Sequence, residues 1–112
     1  MQAYDDQAQQ LAIKLDGLKA YFKTAIGSNA GIRAVTDGHA ASLSRDGEGF
    51  KFYSIYGYTQ THLSYLLDEN LRPKIGSLKL NSRASAEEVS LQEVIRDLEG
   101  IKNSDPEDLR IV

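Results

Sequence analysis

The stretch FKFYSIYGYT, residues 50–59, holds five of the chain's nine aromatic residues. Side chains of a strand alternate between its two faces, so a half-buried strand needs apolar residues at every second position only. Here they fall on both parities. Phe50 and Phe52 share one face, while Tyr53 and Ile55 share the other. Tyr56 and Tyr58 flank Gly57, where a bulge or turn leaves their direction open.

The flanking sequence keeps the same period. Strands are predicted at 32–36, 40–45, 50–56, 62–68 and 75–80, the first being the shortest. Asp37-Gly38, Asp46-Gly47-Glu48-Gly49, Gly57 to Gln60, and Glu69 to Pro73 separate them. Connections this short join antiparallel neighbours, so the strands form a meander. Closing the Asp46–Gly49 turn sets Leu43 opposite Phe52 and Ala41 opposite Ser54. Closing the next turn sets Phe52 opposite Tyr65, Ser54 opposite Leu63 and Phe50 opposite Leu67. Pairing Asp68 with Pro73 then sets Leu63 opposite Leu78. One face collects Ala41, Leu43, Phe50, Phe52, Leu63, Tyr65, Leu67, Leu78 and Leu80, and a slip of one residue in any hairpin destroys that agreement.

Helices bracket the meander. Leu11, Leu15, Leu18, Phe22 and Ala25 recur at three- and four-residue steps, which predicts a helix from about Asp5 to Ile26. Asp5 and Asp6 suit its positive end, and Gly27 supplies the stop. Gly17 lies inside the pattern and allows a bend. A second stripe, Leu91, Val94, Ile95, Leu98 and Ile101, follows Ser90, with Glu93 completing a capping box and Val89 and Val94 placed as a hydrophobic staple. Ser85 with Glu88 offers an alternative start near Ala86, and Gly100 or Asn103 an end. Asp105-Pro106 opens one further turn. Residues 104–112 form a loose tail, or Arg110-Ile111-Val112 lie along a sheet edge.

The expectation is therefore one α+β domain over 1–112, in two layers: an N-terminal helix, an antiparallel meander of four to five strands, and a C-terminal helix on the same side as the first. Cysteine is absent, which excludes a disulfide scaffold, a thiolate zinc site and cysteine catalysis. The first ten residues lack the basic head and apolar run of a secretory signal, and no apolar run approaches membrane-spanning length, so a soluble cytoplasmic protein is expected.

The formal net charge of −3 conceals an asymmetry. Residues 1–83 hold ten Lys and Arg against eight Asp and Glu, whereas residues 84–112 hold three against eight. An acidic terminal segment repels phosphate backbones, so general nucleic-acid binding is disfavoured.

No catalytic or metal constellation stands out, and no cofactor is expected. His39 and His62 lack the spacing of a metal site. His39 with Asp37 and Ser42 or Ser44 contains the residue types of a hydrolytic triad, but neighbours in sequence do not make triad geometry. Asp68-Glu69 and Glu87-Glu88 stand where turns and helix starts attract acids anyway. The Gly27–Gly31 stretch follows a helix instead of opening one and has no phosphate-binding lysine, so it reads as a flexible connector.

The informative feature is the second sheet face. By the same register it displays Lys51, Tyr53, Ile55, His62, Leu66 and Ile75, with Tyr56 and Tyr58 beyond its end. An apolar patch with a polar rim marks an interface. The sequence thus points to a non-enzymatic protein-binding module, an inhibitor, immunity protein or chaperone that occludes another protein through this face and its acidic C-terminal region, which suits a basic partner. A self-associating structural subunit, dimeric through the sheet face or edge, is the alternative. A single-strand nucleic-acid binder stacking bases on the aromatic strand is the third reading.

Overall fold

The computed structural model describes residues 2–112, with side chains from Asp6 onward, so Asp5 of the helix-start pair lies outside the described side chains. β2 (His39–Asp46), β3 (Gly49–Tyr56) and β4 (Thr61–Leu67) form the centre of an antiparallel sheet in the expected register. Leu43 lies opposite Phe52, Ala41 opposite Ser54, Phe52 opposite Tyr65 and Phe50 opposite Leu67. The Phe52 and Tyr65 rings stack with centroids 5.0 Å apart. β1 (Gly31–Thr36) is a full strand, paired with β2 along six residues.

Two helices cover one side of this sheet. α1 (Gln2–Ile26) contributes Leu15, Leu18, Phe22 and Ile26, and α2 (Leu91–Lys102) contributes Val94, Ile95, Leu98 and Ile101. These meet the inward parity of the strands, Ile32, Leu43, Phe52, Tyr65 and Leu67, in one core. The fold is the expected two-layer α+β arrangement. Gly27 ends α1 at φ +55°, and Ser90 caps α2 by accepting the Glu93 amide at 3.2 Å. Ser85 makes only a local turn, accepting the Glu87 amide at 3.1 Å, and no helix starts there. Asn103 closes α2.

The fifth strand differs from expectation. Only Lys79–Leu80 (β5) pairs with β4, joined by β6 (Arg83–Ala84). Leu63 faces Leu80 instead of Leu78, a shift of two residues that keeps the parity. The cause is Ser77, whose hydroxyl donates to the Lys74 carbonyl at 2.7 Å and accepts the Leu66 amide at 3.0 Å. A side chain thereby replaces one rung of the ladder, and residues 74–78 loop away with Ile75 at the tip, 90% exposed.

Two connectors are more ordered than their composition suggests. Arg45 donates to the carbonyls of Gly27 and Asn29, clamping the link from α1 to β1 against the end of β2. In the β4–β5 loop, the Asp68 carboxylate accepts the amides of Asn70 and Arg72, which turns Leu71 inward at φ +64° and buries it completely. Burying a leucine is worth about 2 kcal/mol, enough to offset the left-handed backbone of about 1 kcal/mol. A short 3₁₀ turn (Pro106–Asp108) leads into β7 (Leu109–Ile111), which pairs antiparallel with β1, so residues 109–111 lie on the sheet edge. The strand order is β6-β5-β4-β3-β2-β1-β7.

Two substitutions probe this account through denaturant unfolding. Ser90→Ala removes the cap and lowers stability by about 1 kcal/mol. Gly38 sits at φ +76° with the Tyr58 ring lying where a Cβ would be. Gly38→Ala therefore costs more than about 1 kcal/mol, because backbone strain and displacement of the ring add.

Candidate functional site

The outer face of the sheet carries no helix among the described residues. Its cross-strand rows follow from the register. Val35, Ala40, Ile55 and His62 form one; Arg33, Ser42, Tyr53, Ser64 and Lys79 form the next; Ser44, Lys51 and Leu66 form the third. Tyr53, Ile55, His62 and Leu66 are half-buried by one another. The Tyr53 hydroxyl bonds to His62 Nδ1, with the rings edge to face at 5.9 Å.

Beside Leu66 the 74–78 loop makes a groove of about 350 Å³ with Lys51, Lys74 and Lys79 around it and Ile75 on its lip. Arg110 on β7 lies opposite Arg33 and extends the basic surface to the edge. Asp46 stands at one corner of this parity, and Glu88 accepts the Gly76 amide beside the groove at 3.0 Å. Five cations thus surround a hydroxyl-rich apolar centre, and none of them forms an ion pair with another described residue.

The eight residues singled out from sequence separate into two groups. Lys51, Tyr53, Ile55, His62 and Leu66 stand together on the outer face, and Ile75 is next to them at the loop tip. Tyr56 and Tyr58 do not join them. Tyr56 follows the inward parity and stacks on His39, centroids 4.3 Å apart and planes within 10°. Tyr58 covers the β1–β2 turn and donates to Asp37 at 2.9 Å. The aromatic cluster of the sequence is thereby dispersed over three surfaces.

His39 faces the helix layer, whereas Ser42 and Ser44 face the other way, so these residues cannot assemble as nucleophile and base. Among the described residues no group of three or more His, Asp or Glu is placed to hold a metal ion. Likewise none of their helices is long and apolar enough to cross a membrane.

A polar cleft under α2 escaped the sequence reading. Tyr65 donates to Asp97 Oδ2 at 2.9 Å, and Arg96 Nε lies 3.9 Å from Asp97 Oδ1 on the solvent side. Cavities of about 380 and 180 Å³ open on either side of this pair, and Ser54 lines both. Ser54 is 5% exposed, in the apolar row between Ala41 and Leu63. His39 walls the larger cavity, and its Nε2 is sealed from solvent without a partner. Burial raises the Asp97 carboxyl above its ordinary range, against the opposing effects of the Tyr65 hydroxyl and Arg96. Burial first, and the Asp97 carboxylate second, push the Tyr65 hydroxyl well above the usual phenol range. The available signals were Ser54 at an inward position of β3 and Asp97 three residues after Val94, on the flank of the buried stripe.

No family model, curated protein or solved structure matches the chain.

The raised Asp97 carboxyl sets a pH dependence. A carboxyl whose folded pKa exceeds its unfolded value costs stability once ionised. That cost is absent below the ordinary value of 3.8 and grows as pH rises through the raised folded value. Asp97→Asn, whose amide oxygen still accepts from Tyr65, therefore changes the melting temperature more favourably at neutral pH than under acid conditions. Paired thermal melts at the two pH values read this difference.

Proposed function

We propose that the chain is a non-enzymatic protein-binding module that docks an acidic protein surface on the outer face of its sheet, acting as an inhibitor, immunity protein or chaperone does. The observation that carries this reading is the half-buried Tyr53–Ile55–Leu66 centre inside a ring of Arg33, Lys51, Lys74, Lys79 and Arg110. Apolar centres with charged rims are the usual anatomy of an interface, and the rim charges steer the encounter. In the opposite layer α2 carries three carboxylates against two cations, so the larger excess of one sign lies on the sheet face. Charge complementarity thus favours an acidic partner for the sheet face over the basic one that the acidic C-terminal region suggested.

Two features weigh against the alternatives. The outer face keeps one tyrosine, held edge-on to His62, so it offers no row of flat rings for successive bases. Two copies meeting through this face would oppose like charges, which leaves the edge strand β7, with Ile111 55% exposed, as the route to a homodimer.

Capture from the native host tests the reading, with wild-type and variant baits compared. Tyr53→Ser with Ile55→Ser, and separately Lys51→Glu with Lys79→Glu, abolish or weaken capture at least about tenfold while the melting transition persists. Partners retained by both double variants refute the proposal. So does saturable binding of a single-stranded oligonucleotide that weakens steeply with salt and is lost in the charge-reversed bait.

A further inference from the structure

We propose that the groove between β4 and the 74–78 loop anchors one apolar side chain of an acidic, extended segment of the partner protein. The inference rests on the outer sheet face being the docking surface, and it fixes which kind of segment that surface holds.

The groove, about 350 Å³, lies at the small end of ligand pockets, which run from roughly 300 to 1,000 Å³. It suits a side chain with its flanking backbone. Half-buried Leu66 is its floor and Ile75 its lip. Ile75 is 90% exposed, so the core gains nothing from an isoleucine there. The tip that carries it is nonetheless braced. The Lys74 amide donates to the Leu66 carbonyl at 2.9 Å, and the Ser77 hydroxyl accepts the Leu66 amide at 3.0 Å. Gly76, at φ +75°, donates its amide to Glu88 at 3.0 Å. A lip held in this way loses little further freedom when a ligand packs on it.

Charge complementarity selects the occupant. Lys51 and Lys79 come from β3 and β5, on either side of β4, and Lys74 comes from the loop, so cations stand on both sides of Leu66. None of the three forms an ion pair with another described residue. Glu88 is committed to the Gly76 amide and shows that a carboxylate is accepted beside this loop; one carboxylate leaves the lysines in excess. A segment with carboxylates on both sides of one apolar residue matches the arrangement. Its apolar side chain lies between Leu66 and Ile75, and its carboxylates meet the lysines. A nucleic-acid backbone answers the charge but leaves both apolar side chains uncovered.

Nuclear magnetic resonance titration tests the groove, with the capped pentapeptides Asp-Glu-Leu-Glu-Asp, Asp-Glu-Phe-Glu-Asp and Asp-Glu-Ser-Glu-Asp and with oligothymidylate as probes. Saturable shifts at Lys51, Leu66 and Gly76 are expected with the Leu and Phe peptides, with dissociation constants on the order of 1 mM for a single anchor. The Ser peptide binds at least about fivefold more weakly, the scale of one partly buried apolar side chain. Ile75→Ser weakens the Leu and Phe peptides by a similar factor and leaves the Ser peptide unchanged, which a loss of charge or of folding would not produce. Lys74→Glu weakens every peptide, and Ile13→Ser, at an exposed position on α1, weakens none. Absence of saturable shifts with both apolar peptides overturns the proposal, as does equal affinity for the Ser peptide, unchanged affinity in Ile75→Ser, or tighter binding of oligothymidylate than of any peptide. Capture from the native host separates the two readings. A partner kept by Ile75→Ser but lost by Tyr53→Ser with Ile55→Ser overturns the groove and leaves the sheet face standing, whereas a partner kept by both baits overturns both.

Discussion

The structure depends on the burial of one parity of β3 beneath two helices. Phe52, stacked on Tyr65 and opposite Leu43, sits where the inward faces of β2, β3 and β4 meet the stripes of α1 and α2. A strand offers a helix layer one side only, so committing Phe50 and Phe52 inward sends Tyr53 and Ile55 outward without choice. The outer face is therefore a geometric consequence of the core. Its chemistry is not: solvent demands no apolar residues there, and Tyr53, Ile55 and Leu66 have no packing partner in the helix layer.

The parts of the fold legible in the sequence are those governed by short-range periodicity. Three hairpins, two helical stripes, the Ser90 cap and the Gly27 stop follow from spacing and turn chemistry within about ten residues. What was not legible depends on side chains standing in for backbone. Ser77 interrupts the β4–β5 ladder, Asp68 folds a loop that turns Leu71 into the core, and Arg45 fixes a glycine-rich link through two carbonyls. Each looks like an ordinary polar residue in sequence, although Ser77 and Arg45 reach backbone groups 11 to 18 positions away and Asp68 amides only two and four positions on.

The same limit governed the candidate sites. Residues of one parity could be grouped from register alone, which brought Lys51, Tyr53, Ile55, His62 and Leu66 together. Tyr58 escaped that logic because it lies past Gly57, beyond the strand end, whereas Tyr56, the last residue of β3, keeps the inward parity. The cleft under α2 escaped it as well, since Ser54 and Asp97 belong to different elements and meet only after the layers pack. Packing also sorts the charge. Cations surround the open sheet face, where Glu88 reaches the Gly76 amide, while Glu87, Glu93 and Asp97 gather around the smaller cleft under α2.

Site-directed photocrosslinking in the native host addresses the outer face most directly. A photoreactive phenylalanine derivative at position 53 is compared with the same group at Ile13, exposed on α1. The account predicts a discrete protein adduct from position 53 and none from position 13. Adducts from position 13 alone, or nucleic-acid adducts from position 53, would contradict it.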